Sequence, residues 1–133
     1  MIEWISGVIT MRLLLYTSGE SEDNKRLEAA VHKAIPKRRI ELFKSLGDLK
    51  ERLRTPVEPG SIAVLSASTL EDLRQMQQLR ALLPEIYVVL VVPDRKKSTI
   101  ELAHLLLPRF LSRQSDDFKD LGKVLEKICR TTH

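Results

Sequence analysis

The stretch IYVVLVVPD, residues 86–94, decides the fold. Six of its first seven residues are Ile, Val or Leu without polar alternation, and Pro93-Asp94 turns the chain straight afterwards. An apolar run of strand length that does not alternate belongs in a sheet covered on both faces, as in a parallel sheet between two layers of helices. Upstream of it, Thr69 and Asp72 form a capping pattern at the head of a helix carrying Leu70, Leu73, Met76, Leu79 and Leu83, which Pro84 ends. Before that helix lies a small-residue strand, residues 61–66. Downstream, Ser98 or Thr99 opens a helix that runs to Leu107 and closes at Pro108. Residues 109–112 follow as a short strand, and residues 116–130 as a last helix with Phe118, Leu121, Val124, Leu125 and Ile128 inward.

The same alternation extends back to Met11. Residues 12–17, RLLLYT, are a strand ending in the turn Ser18-Gly19. Ser21 then stands before Glu22, Asp23 and Asn24, acidic and polar residues suited to a helix N-terminus, and Leu27, Ala30, Val31 and Ala34 share one helix face. After Pro36 and a basic turn come a strand at residues 40–43 and a helix with Leu46, Leu49 and Leu53, closed by Thr55-Pro56 and Pro59-Gly60. Strand and helix thus alternate five times. With right-handed crossovers this predicts an α/β, flavodoxin-like, doubly wound five-stranded parallel sheet of order 2-1-3-4-5, with five helices. Ligands of such folds sit at the carboxyl ends of the strands, here near Thr17 and Ser18, Ser66 to Ser68, Val91 and Val92, and Arg113 and Gln114.

Size and charge narrow the classes. A chain of 133 residues suits one domain, able to bury roughly two thirds of its unfolded surface. We place it at residues 11–133, behind a ten-residue N-terminal extension, MIEWISGVIT, with Met11 as an alternative start. The net charge of +4 is spread along the chain, so nucleic acid is not indicated. The basic stretches Lys37 to Arg39 and Arg95 to Lys97 read as solvated turns. One cysteine, Cys129, forms no internal disulfide and points to a reducing cytoplasm. No apolar run reaches the roughly 18 residues of a membrane span. His32, His104 and His133 have no ligand spacing, and no glycine-rich phosphate loop is present, so neither metal nor other cofactor is expected.

From Met11 onward the chain resembles the receiver domain of bacterial response regulators, in the order and spacing of RLLLY, IAVLS, VVLVVP and RFLSRQ. In that family two acids end strand one and help hold magnesium. An aspartate ending strand three accepts phosphate, a Ser or Thr ends strand four, and a lysine followed by proline ends strand five. The resemblance places Thr17 and Ser18 at the acid pair, Ser66 at the phosphoacceptor, Val91 at the hydroxyl, Arg113 at the lysine and Gln114 at the proline. Phe110 falls where the family has a switching aromatic residue. Magnesium favours carboxylates, which Thr17 and Ser18 do not supply. A serine in place of an aspartate needs a neighbouring base to attack phosphorus, and no base is placed there. Arg113 is left either to bind an anion or to pair with Glu20 or Asp116.

These residues predict a degenerate receiver (a pseudo-receiver), non-enzymatic, acting in signal transduction through protein–protein interaction or self-association. The alternative is a small flavodoxin-like enzyme or anion- or nucleotide-binding domain using the strand-end hydroxyls of Thr17, Ser18, Ser66 and Ser68 with Arg113. The partner face is sought on the fourth helix. Its stripe Ile100, Ala103, His104 and Leu107 is expected to face the sheet, leaving Leu102, Leu105 and Leu106 outside as a dimer or partner contact. A covering role for the extension, through Ile2, Trp4 and Ile5, is the other expectation for that patch.

Overall fold

A computed structural model describes residues 11–131; the extension 1–10 with Trp4, and His133, lie outside the described residues. The sheet has the expected topology. Strands β1 (Leu13–Thr17), β2 (Ile40–Phe43), β3 (Ile62–Ser66), β4 (Tyr87–Val92) and β5 (Phe110–Arg113) are all parallel, in the order β2-β1-β3-β4-β5. Between them run helices α1 (Glu22–Ala34), α2 (Leu46–Leu53), α3 (Leu70–Met76), α4 (Lys97–His104) and α5 (Lys119–Thr131). Residues alternate along each strand, so each feeds two cores. Leu13, Leu15, Ile62, Val64, Val89 and Val91 pack under α1 and α5. Leu14, Tyr16, Ala63, Leu65, Leu90 and Val92 pack on the opposite face, under α2, α3 and α4. The run that decided the fold is buried from Val88 to Val92.

Helix starts follow local chemistry. The Ser21 and Ser45 hydroxyls accept the backbone N–H groups of Asn24 and Asp48 at the heads of α1 and α2. Thr69 and Asp72 make the full reciprocal capping box at α3. After Met76 the helix tightens into a 3-10 turn, Gln77–Leu82. The cause is visible in the spacing: Leu70, Leu73, Met76 and Leu79 recur every three residues, the period of a 3-10 helix. The last helix begins at Lys119 rather than at residue 116. Phe118 adopts φ 65°, and the Asp117 side chain accepts the Lys119 N–H at 3.0 Å, so the acids form the preceding turn.

The fourth helix departs from expectation in phase and length. It opens at Lys97, one residue ahead of Ser98, with Lys96 at the N-cap and no side-chain capping bond, while the Asp94 carboxylate in the preceding turn accepts the Thr99 hydroxyl and, at 2.9 Å, the Lys96 N–H. These two bonds hold the Asp94 carboxyl below its ordinary range. Thr99, Ala103 and Leu106 face the sheet, while His104 and Leu107 lie outside. Leu106, expected on the partner face, is therefore core at 4% exposure, and Leu102 is half-buried against the same core. Leu105 is exposed as expected. Residues 105–107 leave the helix through three-residue backbone bonds, and Leu107 at φ 52° swings its side chain off the stripe. Among the described residues, no helix is long and apolar enough to cross a membrane.

Candidate functional site

Parallel register brings the carboxyl ends of the strands together, with Thr17 opposite Ser66, Ser66 opposite Val91, and Val92 opposite Arg113. Thr17, Ser66 and Val91 are fully buried. Ser66 donates to Asn24 Oδ1 at 2.8 Å and accepts from Gln114 Nε2. Gln114 also reaches Asn24 Oδ1 and the Ala67 carbonyl, both at 3.4 Å, and Asn24 Nδ2 donates to the Gly19 carbonyl at 3.1 Å. The position that resembles a phosphoacceptor thus sits in a buried, uncharged amide–hydroxyl network joining α1, β3 and the loop after β5. A buried polar group is tolerated when its hydrogen bonds are made, and this network makes them among its own members.

Two charged groups flank the network. Lys44, just after β2, places its ammonium 3.0 Å from Thr17 Oγ1, 2.7 Å from Glu28 and 3.1 Å from Glu20. The hydrogen bond to Glu28, then Glu20, raises its pKa against the opposing effect of burial. Asp72 accepts the Ser18 hydroxyl at 2.8 Å as well as the Ser68 and Thr69 N–H groups at 3.0 and 3.2 Å. Burial, reinforced by the Asp72 charge, pushes the Tyr16 phenol up and keeps it neutral. Thr17 and Ser18, at the positions that resemble the acid pair, carry neutral hydroxyls with the Lys44 ammonium beside Thr17, so these two positions supply no carboxylate to a magnesium ion. Among the described residues, no group of three or more His, Cys, Asp or Glu is placed to hold a metal ion.

Arg113 turns away from the network. Its Nε lies 3.6 Å from Asp116 Oδ1, which leaves Glu20 to Lys44. Asp116 in turn accepts the Arg113 N–H at 3.0 Å and the Ser112 hydroxyl at 2.8 Å. The loop is held from the other side by Arg26, which donates to the Gln114 and Asp116 carbonyls at 3.0 and 2.6 Å and lies over the Phe118 ring. Phe110 pairs with Val89 and packs into the core under α1 and α5, on the same face as Val91, while Leu111 faces the α4 side.

The backbone N–H of Arg113, followed by the Ser112 hydroxyl and the Arg113 and Arg95 charges, holds the Asp116 carboxyl below its ordinary range. A depressed carboxylate stabilises the fold above its unfolded pKa, and that contribution disappears as pH falls through the folded value. Asp116→Asn is expected to flatten the acid limb of the stability profile below about pH 4. Urea titrations at a series of pH values measure it, and an unchanged acid limb would contradict the assignment.

Gln114, already expected among the strand-end positions, is joined there by Asn24, Lys44 and Asp72, to which the sequence reading gave no such role. Asn24 carried a usable signal, since it continues the inward stripe of Leu27 and Val31 at helical spacing, a polar residue in core phase. Lys44 carried none.

No protein-family model and no curated protein matches the chain. Solved structures do. A putative pilus assembly-related protein from Burkholderia pseudomallei superposes with TM-score 0.63 at 18% identity, over 91% of this chain and 90% of that one. A response regulator from Thermotoga maritima gives 0.62 at 14% identity, over 90% and 98%. The phosphorylated cyanobacterial phytochrome response regulator RcpA gives 0.56 at 12%, over 89% and 91%. With its strand order and crossover helices, the protein has the flavodoxin-like fold of response-regulator receivers.

Proposed function

We propose that this chain is a receiver-like signalling module that does not take part in phosphoryl transfer, is not an enzyme, and acts through protein–protein contact in the cytoplasm. The observation that carries the reading is the buried Asn24–Ser66–Gln114 network. RcpA is described as phosphorylated, and the similar regulator Rcp1 as Mn2+-bound. Here the corresponding strand ends offer a hydroxyl whose proton is engaged by an amide, with no base beside it. Incubation with acetyl phosphate and magnesium is expected to leave the intact mass unchanged. A phosphoryl adduct on any strand-end side chain would overturn the reading. The anion-pocket alternative needs Thr17 and Ser66 open to a ligand, and both are fully buried.

The contact face we assign is the outer α3–α4 surface, where Leu70, Leu102 and Leu105 line a shallow groove beside Arg74 and Glu101. Leu105, 48% exposed, is its accessible apolar residue. An apolar groove with one cation and one anion at its rim is self-complementary about a two-fold axis, so a second copy is the expected partner. Leu105→Glu should lower the sedimentation mass from dimer to monomer with an unchanged circular dichroism spectrum. A parent that sediments as a monomer at high concentration would remove this part of the proposal.

A further inference from the structure

Between the start of α4 and the end of β5 lies a hollow of about 310 Å3, near the lower end of the range for small-molecule sites. Its lining has two parts. Val92, Ile100 and Leu111 make an apolar wall, Arg95, Ser112 and Arg113 supply the polar side, and no acid is among these six residues. Both arginines are incompletely partnered. Arg95, in the loop between β4 and α4, is exposed and makes no hydrogen bond or ion pair among the described residues. Arg113 Nε is closed to solvent yet makes no hydrogen bond, because Asp116 Oδ1 stands at 3.6 Å. A donor withdrawn from water and left unpaired is destabilising, and an added acceptor relieves it.

Charge and shape select the ligand. Asp116 is the carboxylate beside the hollow: after the Arg113 N–H and the Ser112 hydroxyl, the Arg113 and Arg95 charges both act on it. The Ser112 proton is committed to Asp116, so an incoming anion is met by the guanidinium groups alone. Two arginines offset by one carboxylate leave a single positive charge, which a monoanion neutralises. A phosphate monoester carries about 1.5 to 2 negative charges at pH 7 and overfills it. Planar guanidinium forks match a flat carboxylate, and the apolar wall gains from being covered by hydrocarbon. We infer that this hollow binds a small monocarboxylate with an apolar body, the carboxylate between Arg95 and Arg113 and the body against Val92, Ile100 and Leu111. The site lies apart from the buried Thr17 and Ser66 hydroxyls, so the polar network stays closed when it fills.

Benzoate is the probe. In proton–nitrogen correlation spectra of the full chain it should shift the amides of Arg95, Ile100, Leu111 and Arg113 saturably, with millimolar affinity. Benzamide, its neutral isostere, acetate, the charge without the body, and inorganic phosphate should each bind about tenfold more weakly or not at all. Arg95→Gln, in an exposed loop, should weaken benzoate about tenfold with an unchanged circular dichroism spectrum, the loss of one charged hydrogen-bonding group. Arg109→Gln, which removes a guanidinium stacked 4.7 Å over the Tyr87 ring, should leave the benzoate affinity as in the parent. Absence of saturable shifts with benzoate would overturn the inference. Equal binding of acetate or phosphate would show an adventitious ion only, equal binding of benzamide an apolar contact only, and either would overturn it. A benzoate affinity unmoved by Arg95→Gln would do the same.

Discussion

Ser66→Asp is expected to lower the unfolding free energy at pH 7 by about 3 to 5 kcal/mol, the range for a buried charge without a compensating partner. The introduced carboxylate would replace a fully buried hydroxyl between Asn24 Oδ1 and Gln114 Nε2. Gln114 can donate to it, but the Asn24 oxygen and the Ala67 carbonyl on the same side are acceptors. Lys44, which flanks the network at Thr17, is already shared between Thr17, Glu28 and Glu20. Burial therefore raises the pKa of the new group above that of an unfolded aspartate. The sign follows: the deficit is full above the raised folded pKa and shrinks as pH falls through it, since the native state then takes up a proton that the unfolded chain does not. Urea unfolding at several pH values reads both size and direction. The single change is also expected to give no tight magnesium binding by NMR titration. Adding Thr17→Asp and Ser18→Asp would supply ligands, at the expense of three clustered negative charges. Near-parental stability together with tight magnesium binding in the single variant would show that the pocket has been misplaced.

Asn24→Leu should cost about 2 to 3 kcal/mol, because the Ser66 hydroxyl proton and the Gly19 carbonyl lose their partner inside the fold. The leucine keeps the volume and the inward stripe of α1, so the loss reports on polar satisfaction rather than on a cavity. Combining it with Ser66→Ala separates the two. With the hydroxyl gone, the penalty of leaving it unpaired is gone too, and the double variant should be less destabilised than the sum of the singles by about 1 kcal/mol. Strict additivity would mean that the bond contributes nothing.

What was legible in the sequence was whatever local chemistry decides. The unalternating run at residues 86–92 announced a doubly covered strand, and the Thr69–Asp72 box and the three-residue spacing behind it were both in view. The α4 phase was misread because Thr99 counts as polar in a pattern, while in the fold its hydroxyl is paired with Asp94 and its body lies in the core. Counting leucines then put His104 and Leu107 inward and Leu106 outward. For the site, the expected positions Thr17, Ser66 and Val91 did meet at adjacent strand ends. Their partners were hidden by sequence distance. Nothing in residues 20–30 says that Asn24 meets Ser66, and nothing at residue 44 says that a lysine after an edge strand turns back across Thr17.

That distance has a kinetic meaning. The bonds of the network close loops of 42, 48 and 90 residues, from Asn24 to Ser66, Ser66 to Gln114 and Asn24 to Gln114. Loop closure on that scale becomes favourable only once β1, β3, β4 and β5 are already aligned in the sheet, so the network belongs to the last step of assembly and not to its nucleus. An interaction absent from the transition state slows unfolding without speeding folding. The Asn24→Leu variant should accordingly fold at nearly the parental rate and unfold about 30- to 150-fold faster, the factor corresponding to its equilibrium loss. The amides around Ser66 thus set the lifetime of the native protein and leave the time it takes to form almost untouched.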